Sequence, residues 1–252
     1  MSKAETAAPV KGTVPEGTHT ETEASRRVRE MFTQIAPKYD LLNHVLSLQL
    51  DRLWRARVAR ILKPMLQRGD AMVLDLCCGT GDLALALKGA GPARVIGADF
   101  AHPMLVQANA KSGAKITFLE ADALRLPFAD CSFDLLTAAF GFRNLANYES
   151  GLREIMRVLK PGGTAAILEF TEPPAGILGN MYRWYFRGIL PRIGGLLSGD
   201  RNAYTYLPRS VSRFFRPAQL ADLMASVGYG AVKYRVWTMG TVALHTGTRS
   251  GG

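Results

Sequence analysis

The sequence has 252 residues, 48% hydrophobic and 21% charged, which is enough apolar material to bury a sizeable core. Its 31 Lys and Arg against 21 Asp and Glu give a net charge of +10, which favours anionic partners. Three cysteines cannot form a disulfide framework, and no apolar run approaches the ~18 residues of a membrane-spanning helix. A secreted disulfide scaffold, an integral membrane protein and a collagen-like chain are excluded.

The first 24 residues contain no Leu, Ile, Phe, Tyr or Trp and are rich in Thr, Ala, Pro and Gly. Such a segment buries too little apolar surface to offset the entropy cost of ordering, so residues 1–24 are predicted to be a disordered tail. The tail lacks the apolar centre of a secretory signal. We therefore expect a cytoplasmic location, with peripheral contact at the inner membrane face as an open alternative.

Residues 25–68 are predicted to form two helices ahead of the core. Apolar residues recur with the period of a helix from Ser25 onward, and Pro37 ends that helix. A second helix is predicted at about 49–66, after the irregular segment 39–43. We expect both helices to fold over the core as a lid.

Residues 69–171 alternate between short apolar runs and helical stretches. The predicted strands are Met72–Leu76, Arg94–Asp99, Ile116–Glu120, Phe133–Ala139 and Thr164–Phe170. The predicted helices lie at about 82–88, 103–111 and 146–159, and Pro161-Gly162-Gly163 is expected to separate the last of them from the fifth strand. This alternation predicts an α/β fold, a parallel sheet with helices on both faces and a crevice at the carboxyl ends of the strands.

Residues 172–216 break this alternation. Within 173–216 the chain has seven Arg, no Lys and one acidic residue, together with eight aromatic residues. We expect this basic aromatic insertion to contact the substrate or an anionic membrane surface, where each basic residue contributes up to ~1 kcal/mol. An ordinary solvated face with buried aromatics is the alternative. The final segment, 217–248, is predicted to hold a helix at about 217–227 and strands near 231–237 and 241–245.

A glycine-rich turn follows the first predicted strand and opens a helix. It reads Asp75-Leu76-Cys77-Cys78-Gly79-Thr80-Gly81, and its glycines permit a tight turn and close approach of a ligand. With Ala84 it satisfies a dinucleotide fingerprint, so an NAD-linked oxidoreductase is one interpretation. The carboxylates of Asp75 and Asp82 disfavour a pyrophosphate at this helix N-terminus but suit a ligand with an ammonium and a sulfonium. We therefore favour S-adenosylmethionine.

Two further carboxylates follow the next two strands. Asp99 closes the second strand, where it can accept hydrogen bonds from both ribose hydroxyls. Asp122 lies just past the third strand, where it can accept from the adenine amino group, with the Ala123 backbone alongside. Because the carboxyl ends of parallel strands share one edge, these residues and Gly79 predict a single binding site. Structural roles at the loop and at helix starts are the alternative.

Four longer segments carry a resemblance to a known family. They are Tyr39-Asp40-Leu41-Leu42-Asn43 continuing to Trp54, Leu74 to Asp82, Phe140-Gly141-Phe142-Arg143-Asn144, and Arg157 to Gly163 leading to Glu169. Over about 26–247 the chain resembles the C-methyltransferases of quinone biosynthesis, which are class I S-adenosylmethionine-dependent methyltransferases. It departs from the usual family pattern at four positions. This chain has Leu42 where the family usually has Met, Asp51 where it has His, and Thr171 where it has Ser. The fourth departure is Ala139, at a position that is often Ser in the family.

The resemblance implies a Rossmann-like class I methyltransferase fold with a seven-stranded, mostly parallel sheet. It implies S-adenosylmethionine as methyl donor, no metal, and cofactor-binding roles for Thr80, Asp99, Asp122 and Ala123. The substrate would be a polyprenyl quinol, and we favour demethylmenaquinol, in the last step of menaquinone biosynthesis. The 2-polyprenyl-6-methoxybenzoquinol of ubiquinone biosynthesis is the alternative. An RNA methyltransferase is a more distant alternative, but no appended RNA-binding module is apparent, so no nucleic acid partner is expected. A homodimer is a further possibility.

Methyl transfer to a ring carbon needs the neighbouring hydroxyl to lose its proton and a donor that faces the developing phenolate. Arg143 and Asn144 follow the fourth strand, the usual substrate-facing edge of such folds. A guanidinium offers fixed donors and rarely gives up a proton. Arg143 is therefore predicted to orient a water and stabilise the phenolate, with help from Asn144 and with Tyr39 over the same ring. A structural ion pair of Arg143 with Asp40 or Glu169 is the alternative.

Overall fold

Helices and strands alternate through the middle of the chain. The computed structural model describes residues 11–40, 47, 49–173, 176 and 201–251. The strands are β1 (Met72–Leu76), β2 (Arg94–Asp99), β3 (Thr117–Glu120), β4 (Phe133–Ala139), β5 (Leu159–Phe170), β6 (Tyr229–Trp237) and β7 (Val242–Arg249). The helices are α1 (Glu21–Ile35), α2 (Leu50–Leu66), α3 (Asp82–Gly89), α4 (His102–Ser112), α5 (Tyr148–Val158), α6 (Arg201–Arg213) and α7 (Pro217–Val227).

The seven strands form one sheet in the order β3-β2-β1-β4-β5-β7-β6. The first five strands pair in parallel, whereas β7 runs antiparallel to both β5 and β6. Because β1 lies between β2 and β4, the strand order reverses there and a crevice forms at the carboxyl ends of these strands. The predicted α/β fold, with a mostly parallel seven-stranded sheet, is confirmed.

Two apolar layers cover the faces of the sheet. Leu135 and Leu136 are neighbours on β4, and they point into different layers because successive strand residues alternate faces. One layer contains Ile155 of α5 together with α7, and the other contains Leu62 of α2 together with α3. The predicted lid role for both N-terminal helices is therefore wrong for α2, whose buried residues, Trp54 among them, belong to the core.

Three strands extend beyond their predicted bounds, and one of them, β6, begins two residues early at Tyr229. β5 begins at Leu159, directly after α5, and runs through Pro161-Gly162-Gly163, so the prediction that these three residues separate helix and strand is wrong. Phe133 pairs with Leu159 but Leu135 pairs with Thr164, so the extra residues of β5 form a bulge. β7 likewise continues to Arg249.

Residues 11–24 pack against the body of the protein, so the predicted disorder is wrong for this stretch; residues 1–10 lie outside the described residues. The Thr13 backbone N–H donates to the Leu145 carbonyl at 2.8 Å. Gly12 lies so close to the same carbonyl that a Cβ there would be 2.1 Å from the oxygen. The segment is held by polar backbone contacts, which leave no apolar pattern in the sequence.

Helix α1 begins four residues before the predicted start at Ser25, at Glu21. The Thr20 hydroxyl accepts the Glu23 backbone N–H at 3.2 Å, while the Glu23 carboxylate accepts the Thr20 N–H at 3.2 Å. This reciprocal capping satisfies two backbone donors at the helix start. The helix ends at Ile35, ahead of Pro37, as predicted.

Much of the basic aromatic insertion predicted over 172–216 lies outside the described residues, namely 174, 175 and 177–200. The last part of the insertion forms α6, whose residues Ser210 and Val211 are buried. Within the part of the chain that the structure describes, no helix combines the length and apolar character needed to cross a membrane.

Candidate active site

The turn that leaves β1 packs closely against its neighbours. Gly79 and Gly81 have φ angles of +53° and +83°, in the left-handed region that favours glycine. A Cβ on Gly81 would lie 3.0 Å from side-chain atoms of both Ala108 and Phe118. At Gly79 the nearest atom to such a Cβ is in the Tyr39 ring, 3.7 Å away. The predicted tight turn is confirmed, and it brings Gly79 opposite Tyr39.

A cavity opens beside this turn, at the carboxyl edge of the sheet. It encloses about 670 Å³ of empty space, counting the open solvent at its mouth. Six of the ten predicted site residues line it: Tyr39, Gly79, Asp99, Asp122, Ala123 and Asn144. The other four, Asp75, Thr80, Gly81 and Arg143, do not line the described cavity. Ser25 and Phe32 of α1 also contribute to the wall, so α1 covers the cavity from one side.

Asp99 joins the glycine turn to the cavity. Its Oδ2 accepts the Gly79 backbone N–H and its Oδ1 accepts the Ala101 backbone N–H, each at 2.9 Å. Burial raises the pKa of Asp99, and the two backbone hydrogen bonds oppose that shift. Each carboxylate oxygen has two lone pairs, so both oxygens keep the capacity to accept a hydroxyl from the cavity.

Asp122 lies just past β3, the strand that pairs with β2 and Asp99, and is exposed. Its Oδ1 accepts the Leu124 backbone N–H at 2.9 Å, which fixes the carboxylate at the rim. Phe100 and Met104 line the cavity as well and provide apolar surface. The arrangement suits a flat, partly apolar group that presents an amino group to Asp122.

Asp75 lies behind the turn and is 1% exposed. It accepts a hydrogen bond from the Thr137 hydroxyl at 2.7 Å, which joins β1 to β4. Burial raises the pKa of Asp75 to about 7, although Thr137 and the charge of Arg55 act in the opposite direction. Burial also raises the pKa of the Cys77 and Cys78 thiols well above the usual range, which keeps them protonated.

A cluster of charged side chains holds Thr80 and Asp82 outside the cavity. The Thr80 hydroxyl donates to Asp40 Oδ1, and Lys111 Nζ lies 2.8 Å from Asp40 Oδ2 and 2.6 Å from Asp82 Oδ1. Arg55 lies 3.4 Å from the other Asp82 oxygen. Lys111 also pairs with Asp40, and Arg55 also pairs with Asp51, so the two cations are shared among three carboxylates. Asp82 does not line the described cavity, where Asp99 and Asp122 supply the carboxylates.

Arg143 forms the buried ion pair that the sequence left open as an alternative. Its Nη1 donates to Glu169 Oε2 at 2.9 Å and to the Phe140 carbonyl, and its Nε donates to the Ser210 hydroxyl at 3.3 Å. Burial alone would lower the pKa of Arg143, but the Glu169 carboxylate raises it above its ordinary value. The guanidinium stays charged and fixes the short 3₁₀ turn Phe142–Asn144, whose last residue, Asn144, lines the cavity.

The sequence analysis missed the lining residues Ser25, Phe32, Phe100 and Met104, and it missed Tyr206 and Thr13, which are connected to Asn144 by hydrogen bonds. The Tyr206 hydroxyl donates to Asn144 Oδ1 at 3.0 Å and lies 3.0 Å from the Thr13 hydroxyl. Tyr206 belongs to the basic aromatic insertion, and Thr13 to the segment expected to be disordered. Neither has a motif that could have identified it, because 62 residues separate Tyr206 from Asn144 in sequence.

The strand order and the glycine turn define the fold of S-adenosylmethionine-dependent methyltransferases. A SAM-dependent methyltransferase of Thermotoga maritima superposes with a TM-score of 0.64 at 19% identity, over 88% of this chain and 100% of that one. Phosphoethanolamine N-methyltransferase 2 of Haemonchus contortus, solved with S-adenosyl-L-methionine, gives a TM-score of 0.54 at 13% identity, over 72% of this chain and 49% of that one. At these identities the likeness establishes the fold alone.

The sequence pattern of the ubiE/COQ5 methyltransferase family matches residues 20–249, and the chain belongs to that family. It is 51% identical over 223 residues to the demethylmenaquinone methyltransferase of Thermus thermophilus, covering 87% of this chain and 100% of the relative. The ubiquinone/menaquinone biosynthesis C-methyltransferase UbiE of Geobacter sulfurreducens is 40% identical, over 90% of both chains. The resemblance recognised in the sequence is confirmed, and the protein is a methyltransferase.

Proposed function

We propose that this methyltransferase transfers the methyl group of S-adenosylmethionine to a ring carbon of demethylmenaquinol, which forms menaquinol in the last step of menaquinone biosynthesis. The observation that carries the proposal is the 51% identity to a demethylmenaquinone methyltransferase over 87% of this chain. Methylation of the benzoquinol of ubiquinone biosynthesis is the second candidate, because the UbiE relatives share the family and 40% identity. The family match disfavours the NAD-linked oxidoreductase considered from the sequence.

The cavity wall fits the proposed methyl donor. Asp99 can accept the ribose hydroxyls while it keeps its backbone hydrogen bonds, and Asp122 can accept the adenine amino group beside Ala123. Phe100 and Met104 offer apolar surface to the adenine ring. When bound, the donor supplies an electrophilic methyl group on a positive sulfur. The two wall carboxylates favour that positive charge.

The acceptor site is proposed to lie between Tyr39 and Asn144, which face the same cavity. Holding the acceptor carbon in line with the methyl group can contribute up to ~7–11 kcal/mol to the lowering of the barrier. The ring becomes nucleophilic as its hydroxyl passes a proton to water, and Asn144 can then donate a hydrogen bond to the developing oxyanion. After methyl transfer the ring carbon loses its own proton and the oxyanion regains one from water, so one proton is released overall. Arg143 is paired with Glu169 and does not line the cavity, so its part in this proposal is to hold the turn that carries Asn144. The proposed reaction involves no metal ion and no nucleic acid.

A quinol with a polyprenyl tail resides in lipid, so we also propose peripheral contact with an anionic membrane. Leu53 and Met239 are 65% and 64% exposed. Their chain neighbours Trp54 and Thr238 are joined by a hydrogen bond from the indole N–H to the hydroxyl at 2.8 Å, so the two exposed residues lie in the same region of the surface. Thr238 follows the end of β6 that pairs, through β7, with the carboxyl end of β5. These apolar side chains therefore lie at the sheet edge that holds the cavity.

The test in cells is quinone extraction from a strain that lacks this gene. We expect demethylmenaquinone to accumulate and the wild-type gene to restore menaquinone. Accumulation of the unmethylated benzoquinone precursor in its place would assign the protein to ubiquinone biosynthesis. An unchanged quinone content would contradict both candidates.

A further inference from the structure

We propose that Tyr206 is a positioning residue that fixes the orientation of the Asn144 side-chain amide, so that its NH2 group faces the acceptor oxygen in the cavity. The inference rests on the proposed function, since the quinol defines what the amide donates to. Its basis is the contact between α6 and the short turn after β4. Tyr206 belongs to none of the motifs described in the sequence analysis.

Two hydrogen bonds hold Asn144. Its backbone N–H donates to the Gly141 carbonyl at 3.0 Å, and its side-chain oxygen accepts the Tyr206 hydroxyl at 3.0 Å. Asn144 is 7% exposed and lines the cavity. Its Nδ2 donates to no other residue in the part of the chain that the structure describes. The backbone hydrogen bond fixes the position of the Asn144 Cα, and the hydrogen bond from Tyr206 fixes the orientation of the side-chain amide.

The two ends of an amide have nearly the same size and shape, so an unpaired Asn side chain can turn its oxygen or its nitrogen toward a ligand. A phenol that donates its proton selects the amide oxygen and turns the NH2 group away from itself. An NH2 group in the cavity can donate to a phenolate oxygen, whereas an amide oxygen in the same place would repel it. The orientation of Asn144 therefore decides whether it stabilises the developing charge.

Thr13 donates a hydrogen bond to the Tyr206 oxygen, which leaves the Tyr206 proton for Asn144. A hydroxyl carries one proton, and that of Tyr206 is donated to Asn144, so the Thr13 hydroxyl must be the donor in its own 3.0 Å contact with Tyr206. Burial also raises the pKa of the Tyr206 phenol, which keeps it protonated and a donor. The three residues thus form a directed chain of hydrogen bonds from the N-terminal segment to the cavity.

The first test replaces the hydroxyl of Tyr206. We expect Y206F to lower kcat about tenfold, the effect of one lost neutral hydrogen bond, while the affinity for S-adenosylhomocysteine stays unchanged. Y229F is the matched control, because the buried Tyr229 hydroxyl donates to the Leu152 carbonyl at 2.8 Å and lies outside the cavity wall. Y229F should lower the unfolding temperature and leave kcat unchanged. An unchanged kcat in Y206F would overturn the proposal.

A double-mutant cycle separates positioning from direct action. Without the amide there is nothing to orient, so Y206F should have no further effect on kcat in an N144A background. A second tenfold loss in N144A/Y206F would show that Tyr206 acts on the substrate by itself, which contradicts the proposal.

An NMR experiment remains decisive even if the wild-type protein methylates no quinol, in which case the proposed function fails. In protein labelled with ¹⁵N-asparagine and bound to S-adenosylhomocysteine, the Asn144 amide signals are assigned by their absence in N144A. We expect Y206F to shift or broaden them and Y229F to leave them in place. Unchanged signals in Y206F would overturn the positioning role.

Discussion

At the residue scale, Asp99 combines two roles that the sequence suggests only separately. Its oxygens hold the backbone amides of Gly79 and Ala101, which shapes the turn, and the same carboxylate lines the cavity. A carboxylate suits both because it only accepts hydrogen bonds and has lone pairs to spare. Asp75 differs, since burial behind the turn and the hydrogen bond from Thr137 give it a supporting position.

The variant D99N tests this double role. The amide NH2 of Asn would face a backbone N–H or a ribose hydroxyl without an acceptor lone pair, and the negative charge would be lost. We expect the affinity for S-adenosylhomocysteine, measured by calorimetry, to fall about 10- to 100-fold. This loss corresponds to the roughly 1.5–3 kcal/mol that a hydrogen bond to a charged group contributes. D122N, at the exposed rim, should cost less. Equal affinity of D99N and wild type would disprove the cofactor role, provided that the unfolding temperature shows a folded protein.

At the scale of elements, the residues that follow α1, Tyr39 and Asp40, are connected to the glycine turn through Lys111 of α4. Its ammonium group bridges Asp40, Thr80 and Asp82, and Tyr39 lies next to this bridge over Gly79. Lys111 and Asp40 are 31% and 28% exposed in their side chains. Such half-exposed pairs contribute little to global stability, typically below about 1 kcal/mol. Their effect should therefore be local.

We expect K111A to change the free energy of unfolding by less than about 1 kcal/mol but to raise the dissociation rate of S-adenosylhomocysteine several-fold, because Tyr39 is held less firmly over the cavity. Stopped-flow displacement measures that rate. K88A is the control, since Lys88 lies at the end of α3 and donates only to the Ala93 carbonyl among the described contacts. An equal effect of both variants, or no effect of K111A on the rate, would argue against this role.

Elements whose side chains repeat with a clear period could be predicted from the sequence, and others could not. The buried strand β4 reads as a short, mostly apolar run that contains Asp134 and Thr137, and α5 shows one apolar face. The bulge in β5 was missed because Pro161 and the following glycines are typical of loops as well as of irregular strands. The ordered segment around Thr13 depends on backbone hydrogen bonds, which have no side-chain pattern.

The site follows the same division. Gly79, Asp99 and Asp122 lie at or within three residues of the carboxyl ends of parallel strands, so topology alone brings them to one edge and into one cavity. The sequence offered Asp40 and Glu169 as possible ion-pair partners of Arg143, and in the folded protein Glu169 forms the pair. The contact of Tyr206 with Asn144 depends on how α6 docks, which no local pattern determines.

At the scale of the whole molecule, the cavity and the two most exposed large apolar side chains among the described residues share one edge of the sheet. Leu53 and Met239 lie there beside Arg57, whose guanidinium stacks 4.7 Å from the Trp237 ring centre. The net charge of +10 adds attraction to anionic lipid. This combination of apolar tips and basic residues is typical of peripheral membrane contact.

Vesicle sedimentation tests the membrane contact. We expect anionic vesicles to retain more protein than neutral ones, and L53S combined with M239S to reduce that retention because two apolar side chains no longer insert. V106S provides a control, since Val106 is 56% exposed on α4 and is not part of this patch. Equal retention on both kinds of vesicle would contradict the role of charge, and equal loss in V106S would contradict the role of the patch.

The most direct test of the account is label transfer by the purified protein from S-adenosylmethionine that carries a trideuterated methyl group. With reduced demethylmenaquinone as acceptor, we predict by mass spectrometry a menaquinol that holds the intact labelled group on a ring carbon, formed together with S-adenosylhomocysteine. Recovery of unlabelled quinol only, from protein shown to bind S-adenosylhomocysteine, would contradict the account.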